Sequence, residues 1–321
     1  HDLGHAPFGH HGEEVLAKLA KKELKMKFWH ERNGLRVVDL LNTLADPDGV
    51  QDNLLLTYAV RDGIISHCGE VDQNGIRPRR KAIDLERIIK KNQYQPYTWE
   101  GCVVKVSDKI AYLGRDIEDA LTLRLIPPLQ TRRLIRQVRE QLGISIRSLS
   151  NTAIMHSFIV NLCESSDPDR GLALTREHFE LMAMIKKFNY DFIYNHPRLR
   201  YYKDYASLIL TSIFSVLKEC ESGDKTLENV LKLQNNYPVL GQYFSEWVLK
   251  YSDVGREMSE SRALRQYWPT TLSAPLRRSR NMQVYHLVEP SEDYLLACID
   301  FIAGMTDNFA ERIFREITAL T

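Results

Sequence analysis

Apolar residues return at steps of three and four along almost the whole chain. That rhythm restricts the fold more than any other property of the sequence. Ile209, Ile213, Val216 and Cys220 follow steps of four, three and four. Leu181, Ile185, Phe188 and Phe192 form a similar stripe, which Pro197 ends, and Leu35, Val38, Leu41 and Leu44 fall at three-residue steps. A period near 3.6 places such residues on one face of a helix. No stretch shows the period of two that a half-buried strand requires. Helices are predicted over 13–25, 35–45, 54–65, 100–122, 130–142, 150–164, 175–195, 203–221 and 225–250, with a last helix from near Ser291 almost to the C-terminus. Residues 70–97 are polar and turn-rich and read as a long loop holding a short helix; 268–281 read as irregular. The fold class expected is all-α.

The chain has 321 residues, 44% of them hydrophobic, enough for one large helical body or two modest ones. A net charge of +1 excludes a globally basic nucleic-acid coat. The local basic runs Arg77-Pro78-Arg79-Arg80-Lys81, Arg132-Arg133 and Arg277-Arg278 read as solvated faces. Five cysteines (68, 102, 163, 220 and 298) stand far apart with no CxxC pair, which argues against a zinc ribbon or a disulfide framework and suits a reducing cytosol. No apolar run reaches the length of a membrane span, and a cytoplasmic location is expected.

Chemistry concentrates at the start. His1-Asp2-Leu3-Gly4-His5-Ala6-Pro7-Phe8-Gly9-His10-His11-Gly12-Glu13 holds four imidazoles and two carboxylates, punctuated by three glycines and a proline. A His beside an Asp offers two metal ligands that can bend back onto one ion. Clustered His and carboxylates read as a metal or catalytic site; the plainer reading is a polar loop whose histidines coincide. A second constellation occupies 108–120. On a helix, Asp108, Tyr112, Arg115 or Asp116, and Asp119 share one face, while Ile110, Leu113, Ile117 and Leu121 form the opposite apolar stripe. Alone, that face reads as a hydrated amphipathic surface.

The first block resembles the HD motif of the HD-domain phosphohydrolases, in particular the deoxyguanosine triphosphate triphosphohydrolase (dGTPase) branch, whose pattern is close to HDxGHxPFGHxGE. Asp108-Lys109-Ile110-Ala111-Tyr112 with Asp116 and Asp119 resembles that family's ADxIAYxxxDxxDA segment, with Ser107 in place of the leading Ala. Phe28-Trp29-His30-Glu31-Arg32-Asn33-Gly34-Leu35-Arg36 is similar to its FxHNxQxLR stretch, from which Glu31 and Asn33 depart. Leu56-Thr57, Asp62-Gly63-Ile64 and His67-Cys68-Gly69 resemble its LT…DGILxHxG, and Ile302 to Asp307 matches its IAGMTD. The five blocks stand in the family's order.

The resemblance implies an HD-domain helical bundle with additional C-terminal helices. It implies a catalytic core over 1–125, its N-terminal part missing, and a helical portion over 126–321 packed on the core as one continuous unit. It implies a divalent ion (Mn²⁺, Mg²⁺ or another transition metal) on His1, Asp2 and Asp108. It implies His5 and His10 as phosphate donors or acid catalysts with Glu13 orienting His10. Lys109, Arg115, His30, Tyr112 and Asp116 would meet the substrate. Alternatives stand beside several of these. His5 can be a structural residue of the loop, His30 a polar helix start, and Arg115 a partner of Glu118 or Asp119. His11 matches nothing in the family and is expected at the surface. The reaction implied converts a deoxynucleoside triphosphate and water to deoxynucleoside and inorganic triphosphate. Homo-oligomers, regulatory nucleotides and single-stranded DNA are implied as further partners, and no membrane.

The family's first metal-ligand His, with an Arg just before it, lies upstream of the HD pair. His67, His156, His178, His196 and His286 all sit downstream. The chain is therefore expected to hold three of four ligands, and residues 1–321 alone are not expected to be active. Two other functions compete: a non-catalytic regulator that binds nucleotide or nucleic acid, and a 5′-nucleotidase-type phosphohydrolase acting on monophosphates.

Overall fold

The structure is a computed structural model that describes residues 2–68, 73–252, 283–287 and 292–319. Twelve α-helices and one short hairpin form the regular structure of the described residues, together with 3-10 and π turns, so the all-α expectation holds. The helices are α1 (Gly9–Leu24), α2 (His30–Arg36), α3 (Tyr58–Ser66), α4 (Trp99–Thr122), α5 (Pro128–Leu142), α6 (Asn151–Ser165), α7 (Arg176–Asn189), α8 (Pro197–Lys218), α9 (Thr226–Lys232), α10 (Pro238–Tyr251), α11 (Asp293–Ala303) and α12 (Asp307–Thr318). None is long and apolar enough to cross a membrane.

The chain divides into two compact units, one made of 57–203 and the other of 2–56 with 204–321. In the first, α4 is the central element, packed by α3, α6 and α7. Its apolar stripe is buried as the spacing requires: Ile110, Leu113 and Ile117 meet a core that includes Ile154, Phe158, Leu181 and Ile185. Thr98 caps the helix by accepting the Gly101 N–H. Of the 70–97 loop, residues 73–97 are described, and they contain only the one-turn 3-10 helix Leu85–Arg87. Arg79 ties this segment down. Its guanidinium reaches the buried Asp62 carboxylate and the Tyr58 hydroxyl, and the Tyr97 N–H donates to Asp62 at 2.6 Å. Arg79 thus departs from the solvated-face reading, because a carboxylate buried on α3 needs a cation. Arg132 and Arg133 are exposed on α5, and Arg277-Arg278 lie outside the described residues, as do residues 268–281.

In the second unit, Leu16 and Ala20 of α1 pack in one core with Ile209, Ile213, Leu240, Phe244, Val248, Ile299, Ile302 and Ile313. The N-terminal helix is therefore held by the C-terminal ones. Three predicted helices are interrupted. The 35–45 helix passes after Arg36 into a π turn (Val37–Leu41) and then into β1 (Thr43–Ala45), which pairs antiparallel with β2 (Gln51–Asn53) around Asp46-Pro47-Asp48-Gly49. Asp46 accepts the backbone N–H groups of Asp48 and Val50, so its side chain closes the turn. The 225–250 helix breaks ahead of Pro238, which opens α10 at a position where its missing N–H costs nothing. The last helix breaks after Ala303, and Thr306 starts α12 by capping the Phe309 N–H.

Candidate active site

The HD block folds as a tight loop pinned at three points in the second unit. Asp2–Gly4 forms one 3-10 turn, and the Asn33 side-chain amide donates to the Gly4 carbonyl at 2.8 Å. A Cβ on Gly4 would lie 2.0 Å from the Gly34 nitrogen, so a glycine is needed at position 4, where this loop crosses α2. Phe8 takes the left-handed conformation (φ 64°), and its N–H donates to Asp307 at 2.8 Å. The break before α12 is what presents Asp307, so the IAGMTD block holds the HD block in place. A Cβ on Gly12 would lie 1.8 Å from the Pro7 carbonyl oxygen, where α1 turns back under the loop. Gly4→Ala is expected to cost about 1–3 kcal/mol or more by overpacking. Urea unfolding of the variant checks this; an unchanged midpoint would refute the crossing as drawn.

This loop brings three imidazoles together. His5 stacks on His30 of α2 with ring centroids 4.6 Å apart; His10 lies 5.2 Å from His5 and 5.8 Å from His30. The buried Glu13 carboxylate is 2.6 Å from His30 Nδ1 and 4.0 Å from His10 Nδ1. Glu13 therefore orients His30 first, where the sequence pointed to His10. His10 stands one turn before Glu13 at the open end of α1: its side chain is 69% exposed, against 9% for Glu13. A ring hydrogen on His30 Nδ1 donates to Glu13, which makes Nε2 the lone-pair atom of the neutral ring. One ligand atom from each of His5, His10, Glu13 and His30 falls within 4.8 Å of the others, so this His/Glu group can hold a metal. Glu31, next along α2, is fully buried, and among the described residues neither of its oxygens has a hydrogen bond; one lies 3.6 Å from His30 Nδ1. Its departure from the family pattern gave no hint of this burial. His11 is half-buried rather than exposed. Its Nε2 meets the Ser207 hydroxyl at 2.8 Å, because α1 packs against α8 along that side. His1 lies outside the described residues, and so does the side chain of Asp2.

The second constellation belongs to the first unit. Asp108, Tyr112 and Asp116 line up half-buried on one face of α4. Arg115 and Asp119 are exposed and pair with each other at 3.1 Å, the alternative their spacing allowed. Lys109 is only 2% exposed and lines a small cavity with Gln73, Asn74, Val106 and Met182. Helix geometry puts it one position round from Asp108, on the core side.

Sequence reading missed the neighbour of this face. After α7 the chain makes a π turn, Tyr190–Tyr194, whose Tyr194 hydroxyl donates to Asp116. Burial, then Asp116, pushes the Tyr194 phenol well above its ordinary range and keeps it a donor. Tyr112, Lys186, Lys187, Tyr190, Asp191 and Tyr194 line a cavity of about 480 Å³, of a size that takes a small organic ligand. The Lys187–Asp191 pair at 2.7 Å braces its rim. The two tyrosines and two lysines are 74 or more residues from Tyr112, and only their density between 186 and 194 marked them.

No family model matches the chain. Curated relatives do. It is 30% identical over 215 residues to a deoxyguanosinetriphosphate triphosphohydrolase-like protein of Caldanaerobacter subterraneus, covering 67% of this chain and 51% of that protein. It is 32% identical over 217 residues to the protein of the same name from Desulfatibacillum aliphaticivorans, covering 67% and 53%. A Leptospira interrogans protein of that name is 25% identical over 286 residues, covering 79% and 70%. The chain spans about half the length of the first two. These similarities support the dGTPase/HD-family assignment that the five sequence blocks imply.

Proposed function

We propose that this relative of the deoxyguanosinetriphosphate triphosphohydrolase-like proteins is a metal-dependent deoxynucleoside triphosphate hydrolase. Water attacks the α-phosphorus, the bond to the 5′-oxygen breaks, and deoxynucleoside and inorganic triphosphate leave. The observation that carries the reading is the assembled His5, His10, His30 and Glu13 group, which supplies the proton donors such a cleavage needs.

His10 has the exposure a general acid requires, and an imidazole can hand a proton to a departing alkoxide near neutral pH. Glu13 holds His30 with its Nδ1 hydrogen inward. His5 stacks on His30, and as imidazoliums the two rings would present N–H groups to phosphate oxygens. His1, Asp2 and Asp108 would hold the divalent ion, a nitrogen and oxygen donor set that accepts Mn²⁺ or Mg²⁺; when bound it polarises the phosphate and orients the attacking water. Tyr112 and Asp116 would face the deoxyribose. Asp116 already accepts from Tyr194, and a carboxylate has lone pairs to spare for a 3′-hydroxyl. A phenol packed on the sugar would exclude a 2′-hydroxyl, so ribonucleotides should be poor substrates. Lys186 and Lys187, on the cavity beside Tyr112, would join Lys109 and Arg115 as the cations that meet an anionic ligand.

The test is incubation of the full-length protein with each deoxynucleoside triphosphate and Mn²⁺ or Mg²⁺, followed by analysis of the phosphate product. Inorganic triphosphate is expected. Pyrophosphate or monophosphate release would overturn the reaction; nucleotide binding without turnover would favour a regulator.

A further inference from the structure

We propose that His5, His10, His30 and Glu13, donors other than His1, Asp2 and Asp108, themselves form a site for a divalent ion of the zinc class, and that an ion seated there silences the acid. The second half rests on the proposed function; the first half does not.

The donor set selects the ion. Three imidazoles and a carboxylate suit Zn²⁺ and its borderline neighbours, whereas Mg²⁺ prefers an all-oxygen shell that keeps several waters. The geometry is nearly closed. Ligand bonds of 2.0–2.2 Å in a tetrahedron put donor atoms about 3.4 Å apart. The four donor atoms already lie within 4.8 Å of one another. His10, the exposed member, is free to change rotamer and take up part of the remaining contraction. The buried members are preset. Glu13 grips His30 Nδ1 at 2.6 Å, the carboxylate–imidazole arrangement that fixes the tautomer and aim of a metal-binding histidine. Glu13 then serves either as fourth ligand or as that orienting group, and a water completes the shell in the second case.

Charge gives an independent argument. Glu31 is fully buried, has no hydrogen bond among the described residues, and places an oxygen 3.6 Å from His30 Nδ1. A carboxylate buried in that way calls for positive charge nearby. With Glu13 it makes two carboxylates in contact with one imidazole, enough to balance a doubly charged ion. The functional consequence follows from occupancy of lone pairs: a His10 nitrogen bonded to a metal has no proton to deliver. Zinc would therefore act as an inhibitor at a site where Mg²⁺ does not compete.

The decisive measurement is metal content, with no turnover involved. Full-length Asp108→Ala protein, which lacks one proposed ligand of the other set, is loaded with Zn²⁺, desalted and assayed for zinc. Retention of about one ion per chain is expected, together with visible Co²⁺ absorption bands of four- or five-coordinate type when cobalt replaces zinc. Adding His10→Ala or His5→Ala should lose that ion and those bands. Equal zinc content in Asp108→Ala and Asp108→Ala/His10→Ala would overturn the site. In a separate arm, Zn²⁺ is titrated into wild-type enzyme turning over with Mg²⁺. Loss of triphosphate release at one equivalent is expected, and undiminished turnover with zinc bound would overturn the silencing. If no triphosphate forms under any condition yet the zinc site stands, the proposed hydrolysis fails and the metal site does not.

Discussion

His10→Ala is expected to slow release of inorganic triphosphate by about 10²–10⁴-fold, the usual contribution of a positioned general acid, while leaving stability within about 0.5 kcal/mol. The separation of the two effects comes from exposure. The ring is open to solvent, so its removal leaves no buried partner behind, and the tightest grip of Glu13 is on His30 instead. His30→Ala is the contrasting case: it strips a buried carboxylate of its 2.6 Å partner and should lower both rate and stability. Rates from product analysis and midpoints from urea unfolding of the same samples check the pair. A rate for His10→Ala within threefold of wild type would remove His10 from the chemistry.

Arg36→Ala is expected to destabilise the second unit by about 3–5 kcal/mol, the cost of leaving a buried charge without its partner. Arg36 Nε and Nη2 both lie 2.8 Å from Asp300 Oδ2, and the buried Tyr285 hydroxyl donates to the same oxygen at 2.9 Å. Burial raises the Asp300 carboxyl above its ordinary value, against the opposing pull of Arg36. The sign of the pH effect follows. A folded-state pKa above the unfolded value means the folded state binds the proton more tightly. The stability it contributes is full below the unfolded value near 3.8 and is lost as pH rises through the folded one. Without Arg36 the folded value climbs further, so the deficit of the variant should shrink on acidification from pH 7 towards 4. Adding Asp300→Asn should recover most of it at pH 7. Thermal melts across that range test both statements, and a pH-independent deficit would overturn the first.

The helices were legible because each is written in local spacing. The α4 stripe of Ile110, Leu113 and Ile117 is buried as its period demands, and the polar face opposite carries Asp108, Tyr112 and Asp116 as read. The errors fall where a few residues override a period. Pro238 and Thr306 interrupt apolar runs that look continuous, and a hairpin of three-residue strands is too short to show alternation. Lys109 is buried where Asp108 beside it is half-buried, and a helical wheel does not show that difference: one position separates the open face from the interior. The pairing of Tyr194 with Asp116 spans 78 residues and has no local signature at all.

By itself the sequence determined the all-α class, the α4 face and the presence of a His- and carboxylate-rich loop, since periodicity and a thirteen-residue cluster depend only on near neighbours. Tertiary structure decided which imidazole Glu13 holds, that Asp307 anchors Phe8, and that Tyr194 closes on Asp116. Those contacts depend on how distant helices pack. Packing is set by the summed burial of a whole core and by close approaches such as Gly4 on Gly34, and no single stretch of the chain encodes either.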